Sequence, residues 1–277
     1  MYRIPECVSF PSDTNDVVEI VKWCNSNDVT MIPYGTGSGL EGGVIPTVSG
    51  CCTIDMSKMN EIISVSEEDL SCVVQPGVTR EQLNEYLRAS GLMFPVDPGA
   101  NASLGGMAAT SASGTTAVRY GTMKTNVINL EIVMPDGTMM HTAGEGRQYR
   151  KSSAGYNFTE LFVGSEGTLG VITKVTLRLH PQPECVLAAV CQFESVEAAV
   201  ETATTALQYN IPLAKVELLD SNSIRAVNNY SKMTMEEIPT LFCEFHGTET
   251  AVEVFFILLK YFLYCIHLTP CKWTKQI

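Results

Sequence analysis

The sequence predicts an α+β fold in two parts. Strand-like and helix-like patterns alternate up to residue 181, a Pro-Gln-Pro break follows at residues 181–183, and a β-α-β-α-β order then runs from 186 to 245. That second order suits helices packed on one face of a sheet. The length of 277 residues is ample for two domains of ordinary size. With 45% hydrophobic and 17% charged residues, the chain can bury a sizeable core.

The elements follow in order. Ser12 or Asp13 can cap a helix whose apolar face is Val17, Val18, Ile20, Val21 and Cys24. A short strand at 31–34 runs into a glycine cluster, and strand-like runs recur at 51–54 and 72–74. Thr79 and Gln82 form a capping box for a helix carrying Leu83, Tyr86 and Leu87, which ends at Gly91. Residues 130–134 and 138–142, joined by Pro135-Asp136-Gly137, read as a hairpin, and 171–179 as a strand. The second part reads as strands at 186–193, 214–218 and 241–245, with helices at 195–209 and 221–230.

A further helix begins at Thr248, but residues 254–266 then read VFFILLKYFLYCI. Thirteen residues fall short of the roughly 20 that span a bilayer, so no integral membrane segment is expected. The run also lacks the polar face of an interfacial helix. The expected organisation is therefore residues 1–181, a partial second domain at 182–250, and a divergent apolar tail at 251–277 that ends the fold early and lowers solubility.

Composition excludes one class of partner. Lys+Arg total 18 against Asp+Glu 30, a net charge of −12, whereas nucleic-acid binding needs clustered positive charge. The 10 cysteines contain no CxxC pair and sit mostly in apolar stretches, which suits a reducing compartment.

Three glycine clusters carry the chemistry. In PYGTGSGLEGG (33–43), glycines alternate with hydroxyl residues, so successive N–H groups can turn into one anion-binding concavity. No Lys follows in Walker fashion and the spacing is not GxGxxG opening a helix, so the P-loop and dinucleotide-binding fingerprints both fail. The second cluster, 95–121, is rich in Gly, Ala, Ser and Thr and lets backbone approach a flat ligand. The third, GSEGTLGVIT (164–173), leads glycines into an apolar strand.

These three clusters, with VMPDG and RKSSAGYN (150–157), resemble the vanillyl-alcohol oxidase superfamily. Its p-cresol methylhydroxylase (PCMH)-type FAD-binding domain consists of two α+β subdomains. Within it the chain is most similar to the cytochrome-type D-lactate dehydrogenase and glycolate-oxidase D-subunit branch, over about residues 4–250. The resemblance implies a ferredoxin-like substrate domain, here partial. It also implies FAD-dependent oxidation of a D-2-hydroxy acid, D-lactate to pyruvate, by hydride transfer to flavin N5. An alternative is a non-catalytic FAD-binding fragment.

The resemblance places FAD against Pro33, Tyr34, Gly35, Thr36, Gly37, Ser38, Gly39 and Leu40 in the first cluster. In the second it points to Pro98, Gly99, Ser103, Leu104, Gly105, Gly106, Ala109, Ser111, Ser113, Gly114, Tyr120 and Gly121, and in the third to Glu166, Gly167, Gly170, Val171 and Ile172. His141, His180, His246 and His267 all lie outside these clusters, so FAD is expected to be noncovalent.

The branch also uses a divalent metal, Zn or Mn, held by HxGDGNxH and GEHG motifs that do not occur in these residues. No catalytic base is assigned. His180 and His246 are expected to be structural and His141 solvent-exposed, Arg119 and Arg225 to make surface salt bridges, and Glu217 and Glu244 to face solvent. The resemblance further implies an electron acceptor such as cytochrome c and a mitochondrial location, although no presequence is visible.

Overall fold

A computed structural model describes residues 4–265 and 272–274. The chain divides into two compact units, Met1–Gly114 with Gly121–Pro181, and Thr115–Tyr120 with Gln182–Ile277. A six-residue stretch of the second glycine cluster thus packs with the later part of the chain.

In order, the first unit contains β1 (Cys7–Ser9), α1 (Thr14–Ser26), β2 (Thr30–Tyr34), β3 (Cys51–Asp55), β4 (Ile62–Ser66), β5 (Ser71–Val74), α2 (Arg80–Tyr86), β6 (Leu92–Met93) and α3 (Leu104–Ala109). After α4 (Ala117–Tyr120), which belongs to the second unit, come α5 (Met123–Asn126), β7 (Val127–Val133), β8 (Met139–His141), α6 (Phe158–Phe162), β9 (Val171–Arg178) and β10 (His180–Pro181).

Local chemistry fixes several boundaries. The Asp13 side chain accepts the Asp16 amide and caps α1, and both halves of the Thr79–Gln82 capping box form at α2. Gly137 closes the β7–β8 turn by donating to the Met134 carbonyl. The expected linker at 181–183 begins differently: Pro181 pairs with Leu92 in a two-stranded ladder, where an edge position needs no N–H from proline.

Strands β1, β3 and β2 form a parallel sheet, and β4-β5-β9-β7-β8 an antiparallel one. The central strands β7 and β9 are buried along nearly their whole length because both faces are covered. One face meets Leu83, Leu104, Met107 and Met123; on the other, Val133 and Val171 join Val17, Val21 and Ile54 beneath α1.

That second face holds a buried carboxylate which the sequence reading missed. Glu131 is 4% exposed and accepts hydrogen bonds from Thr14 Oγ1 (2.7 Å), Thr173 Oγ1 (2.9 Å) and Lys174 Nζ (2.8 Å). Burial pushes its pKa up, but Lys174 and the two hydroxyls outweigh that and hold it below the ordinary carboxylate value. His141, expected in solvent, is instead partly buried with Nε2 3.8 Å from the same carboxylate.

The second unit contains β11 (Cys185–Gln192), α7 (Val196–Gln208), β12 (Leu213–Leu219), α8 (Ser221–Ser231), β13 (Thr240–Gly247), α9 (Glu249–Cys265) and β14 (Lys272–Thr274). Its sheet order is β12-β13-β11-β14, antiparallel throughout. Leu187, Ala189, Cys191, Leu241, Cys243 and Phe245 project from one face, where Ala199 and Ala206 of α7 and Val252 and Phe255 of α9 cover them.

The expected change of character at residue 251 does not end this helix. Thr248 caps α9 through its side chain, Val252 is fully buried, and the helix continues to Cys265, leaving Ile257, Leu258 and Tyr261 exposed. The remainder of the expected tail, with His267 and Cys271, lies outside the described residues apart from β14. Among the described residues no helix is long and apolar enough to cross a membrane.

Candidate functional site

A cavity of about 710 Å³ opens in the first unit. Three stretches line it: the loop leaving β2, the segment around α3, and the loop entering β9. The parallel ladder β1-β3-β2 holds the first stretch at its mouth end, Leu104 and Met107 root the second in the core, and Val171 and Ile172 root the third in the antiparallel sheet.

The loop leaving β2 presents unspent donors. Among the described residues, the amides of Thr36, Gly37, Ser38 and Gly39 donate to no protein acceptor. Gly37 adopts φ +66°, which favours glycine, and a Cβ there would strike the Tyr34 hydroxyl. Thr36 Oγ1 lies 3.2 Å from Ser38 Oγ and accepts the Ser103 amide at 3.4 Å, tying the first stretch to the second.

The Ser103 hydroxyl is buried without a partner, although its residue is only 1% exposed. A buried hydroxyl left unpaired costs roughly 1–3 kcal/mol, so this one is aimed at a group that arrives with a ligand. Among the described residues the charged side chains of the lining are Glu41 and Glu166, with neither Lys nor Arg. An anion bound here is therefore met by N–H groups and hydroxyls alone.

All but four of the expected cofactor residues line this cavity. Leu104 is fully buried in the core beneath α3. Gly114 is closed against the Asp97 backbone and Gly121 against Thr125. Tyr120 packs in the second unit, its ring partly buried and its hydroxyl engaged. Conversely, Val44, Met56, Pro76, Ala100, Ala102, Met107, Thr110 and Ala112 line the cavity without having been singled out. The alanines and Thr110 sit inside the expected small-residue segment, but Met56 and Pro76 come from strand ends that no local pattern marks.

In the second unit, the sheet face opposite α7 and α9 carries a hydrogen-bonded row that α4 joins. Tyr120 Oη lies 2.8 Å from His246 Nδ1, His246 Nε2 lies 2.5 Å from Glu244, and Glu244 lies 3.4 Å from Lys215. Arg119, expected in a surface salt bridge, donates at 2.6 Å to the His246 carbonyl, and among the described residues no carboxylate pairs with it. Arg225 does pair with exposed Glu237. Glu217 is exposed, whereas Glu244 is half-buried; the His246 hydrogen bond first, then Lys215, holds Glu244 below the ordinary carboxylate value against the opposing effect of burial. Burial pushes Tyr120 up, opposed by Arg119. His180 bonds Asn126 at 3.0 Å. Among the described residues no group of three or more His, Cys, Asp or Glu side chains is placed to hold a metal ion.

Two family models match the chain: the FAD binding domain over residues 5–143, and the C-terminal domain of FAD linked oxidases over residues 182–254. The chain belongs to the FAD-linked oxidase family. It is 53% identical over 251 residues to a probable mitochondrial D-lactate dehydrogenase of Danio rerio, covering 91% of this chain and 50% of that one. It is 46% identical to a mitochondrial D-lactate dehydrogenase [cytochrome] of Arabidopsis thaliana, covering 89% and 43%. Among solved structures it superposes on alkyldihydroxyacetonephosphate synthase with TM-score 0.80 at 21% identity, covering 96% of this chain and 52% of that one. The chain thus spans about half the length of the curated relatives it matches.

FAD is the cofactor of this family's first domain, and the cavity suits it. Free loop amides can meet a pyrophosphate, and the small residues around α3 admit a flat ring. Among the described residues no histidine lines the cavity.

Proposed function

We propose that the first-unit cavity holds FAD noncovalently and that the chain serves in oxidation of a D-2-hydroxy acid, D-lactate to pyruvate. The observation that carries the site is the buried, unpaired Ser103 hydroxyl beside four free amides in a cavity without cations. The pyrophosphate takes the amides of residues 36–39. Ser103 donates to the cofactor while Gly105, Gly106 and Ala109 leave room for its ring system. The residues in the loop entering β9 close the other side. Gly114 and Gly121 hold the second cluster in shape from outside the cavity through their close approach to Asp97 and Thr125.

When bound, FAD would supply the acceptor for the substrate's Cα hydride, while the base that takes the hydroxyl proton is not assigned to a residue of this chain. The chain's own contribution is to fix the cofactor and surround it with apolar and hydroxyl groups. The substrate reading rests on the similarity to D-lactate dehydrogenases. An electron acceptor such as cytochrome c and a mitochondrial location rest on the relatives' names and belong to the same proposal. So does a boundary near residue 181 between the FAD domain and the substrate domain, with residues 251–277 as a separate tail.

The test is the visible spectrum of the purified chain, followed by anaerobic D-lactate. A yellow protein that bleaches supports both parts of the reading. One that stays yellow leaves a flavin-binding fragment without turnover, and a folded, colourless one overturns the cofactor site.

A further inference from the structure

A second cavity in the first unit, of about 590 Å³, plays no part in the flavin site. The RKSSAGYN segment, which the proposed function does not use, forms much of its wall, together with the start of β7 and the end of β9. Its cations come from places far apart in sequence: Lys124, Arg147, Arg150 and Arg178. The acidic side chain in the lining is Glu160, which is already engaged by Asn157 Nδ2 at 2.9 Å and lies 3.9 Å from Lys124. Among the described residues no carboxylate pairs with any of the three arginines. In a chain of net charge −12, that is a local excess of positive charge held without its counter-ion.

Arg178 is the most constrained of the three. One guanidinium nitrogen donates to the Arg150 carbonyl at 2.8 Å, while its Nε is buried and makes no hydrogen bond. Burial and the neighbouring Arg150 charge both lower its pKa, so nearby positive charge is tolerated at a cost. Hydroxyls of Ser152, Thr122 and Thr125 share the wall and can complete an oxyanion's coordination. Arginine forks match the paired oxygens of phosphate and carboxylate groups.

We propose that this cavity is a binding site for a small, doubly charged oxyanion, a phosphate monoester or a dicarboxylate, held by Arg147, Arg150 and Arg178. Two charges on the ligand balance the cationic surplus better than one.

The test is calorimetric titration of the FAD-saturated full chain with inorganic phosphate and, separately, succinate, at low ionic strength. Arg147→Gln/Arg150→Gln is the matched variant; both side chains are exposed, so the fold is retained. Binding of either anion, weakened tenfold or more in the double variant and falling with added salt, supports the site. Phosphate alone identifies the monoester class, and succinate alone the dicarboxylate class. Absence of binding by both anions, or equal binding by the double variant, overturns the proposal. Gly37→Asp, titrated in parallel, keeps this result separate from the flavin reading. Phosphate binding lost in Gly37→Asp but kept in the arginine variant belongs to the loop amides and overturns the arginine site.

Discussion

These two cavities of the first unit offer opposite kinds of donor. The larger is lined by backbone donors and hydroxyls without a cation, while the smaller gathers three arginines and a lysine. Backbone donors in a fixed loop are already oriented, so little ordering is needed when the anion arrives. Long side chains bring full charge, but they lose rotamer freedom on binding and are screened by salt. The first arrangement suits permanent retention of a cofactor, and the second suits a ligand that comes and goes.

The largest effect expected from breaking this comparison is in the loop leaving β2. Gly37→Asp puts a side chain at φ +66°, against Tyr34, and a carboxylate where a pyrophosphate would sit. The expected outcome is loss of retained flavin, read as the ratio of visible to 280 nm absorbance in folded protein. Normal flavin content would remove this loop from the site.

The first cavity also differs from a buried site that serves stability alone. Glu131 is fully partnered, so Glu131→Leu should strand the Thr14 hydroxyl and the Lys174 ammonium and cost about 2–3 kcal/mol in urea unfolding, with flavin content unchanged at low urea. Ser103 is unpartnered in the free chain, so Ser103→Ala should behave in the reverse way. The apo protein should keep or gain stability, by up to about 1 kcal/mol, while FAD binds several-fold more weakly. A loss of apo stability in that variant would mean that Ser103 has a structural partner and no ligand to wait for.

How far each cavity could be read from sequence follows from the same contrast. Backbone donors need glycines and small residues in a contiguous run, so residues 33–43, 98–113 and 166–172 announce themselves. Side-chain donors need no such run; Arg147, Arg150 and Arg178 meet only because β9 brings its last residue beside the segment before α6. The caps at Asp13 and Thr79 and the Gly137 turn were legible because their partners lie within three residues. The β6–β10 ladder, the Glu131 network and the packing of residues 115–120 with the second unit were not, since each depends on residues distant in the chain. In α9, an apolar run with no helical period to read still supplies Val252 and Phe255 to the core of the second sheet.

The smallest effect concerns the two paired carboxylates, one in each unit. Both Glu131 and Glu244 have folded-state pKa values below the ordinary one, so each adds stability above its unfolded value, near ~4.3, and loses it as pH falls through the folded value. Glu131 is 4% exposed and Glu244 22%, so solvent screens the second pair more. Glu244→Gln should therefore cost only about 0.5–1 kcal/mol near neutral pH, and its difference from the parent should vanish below the folded pKa of Glu244. Glu131→Gln should show the same sign over the same acid range with a larger amplitude. Equal amplitudes in acid-titrated urea unfolding would mean that burial does not set the strength of these pairs, and that the hydroxyl partners of Glu131 contribute nothing beyond those of an exposed ion pair.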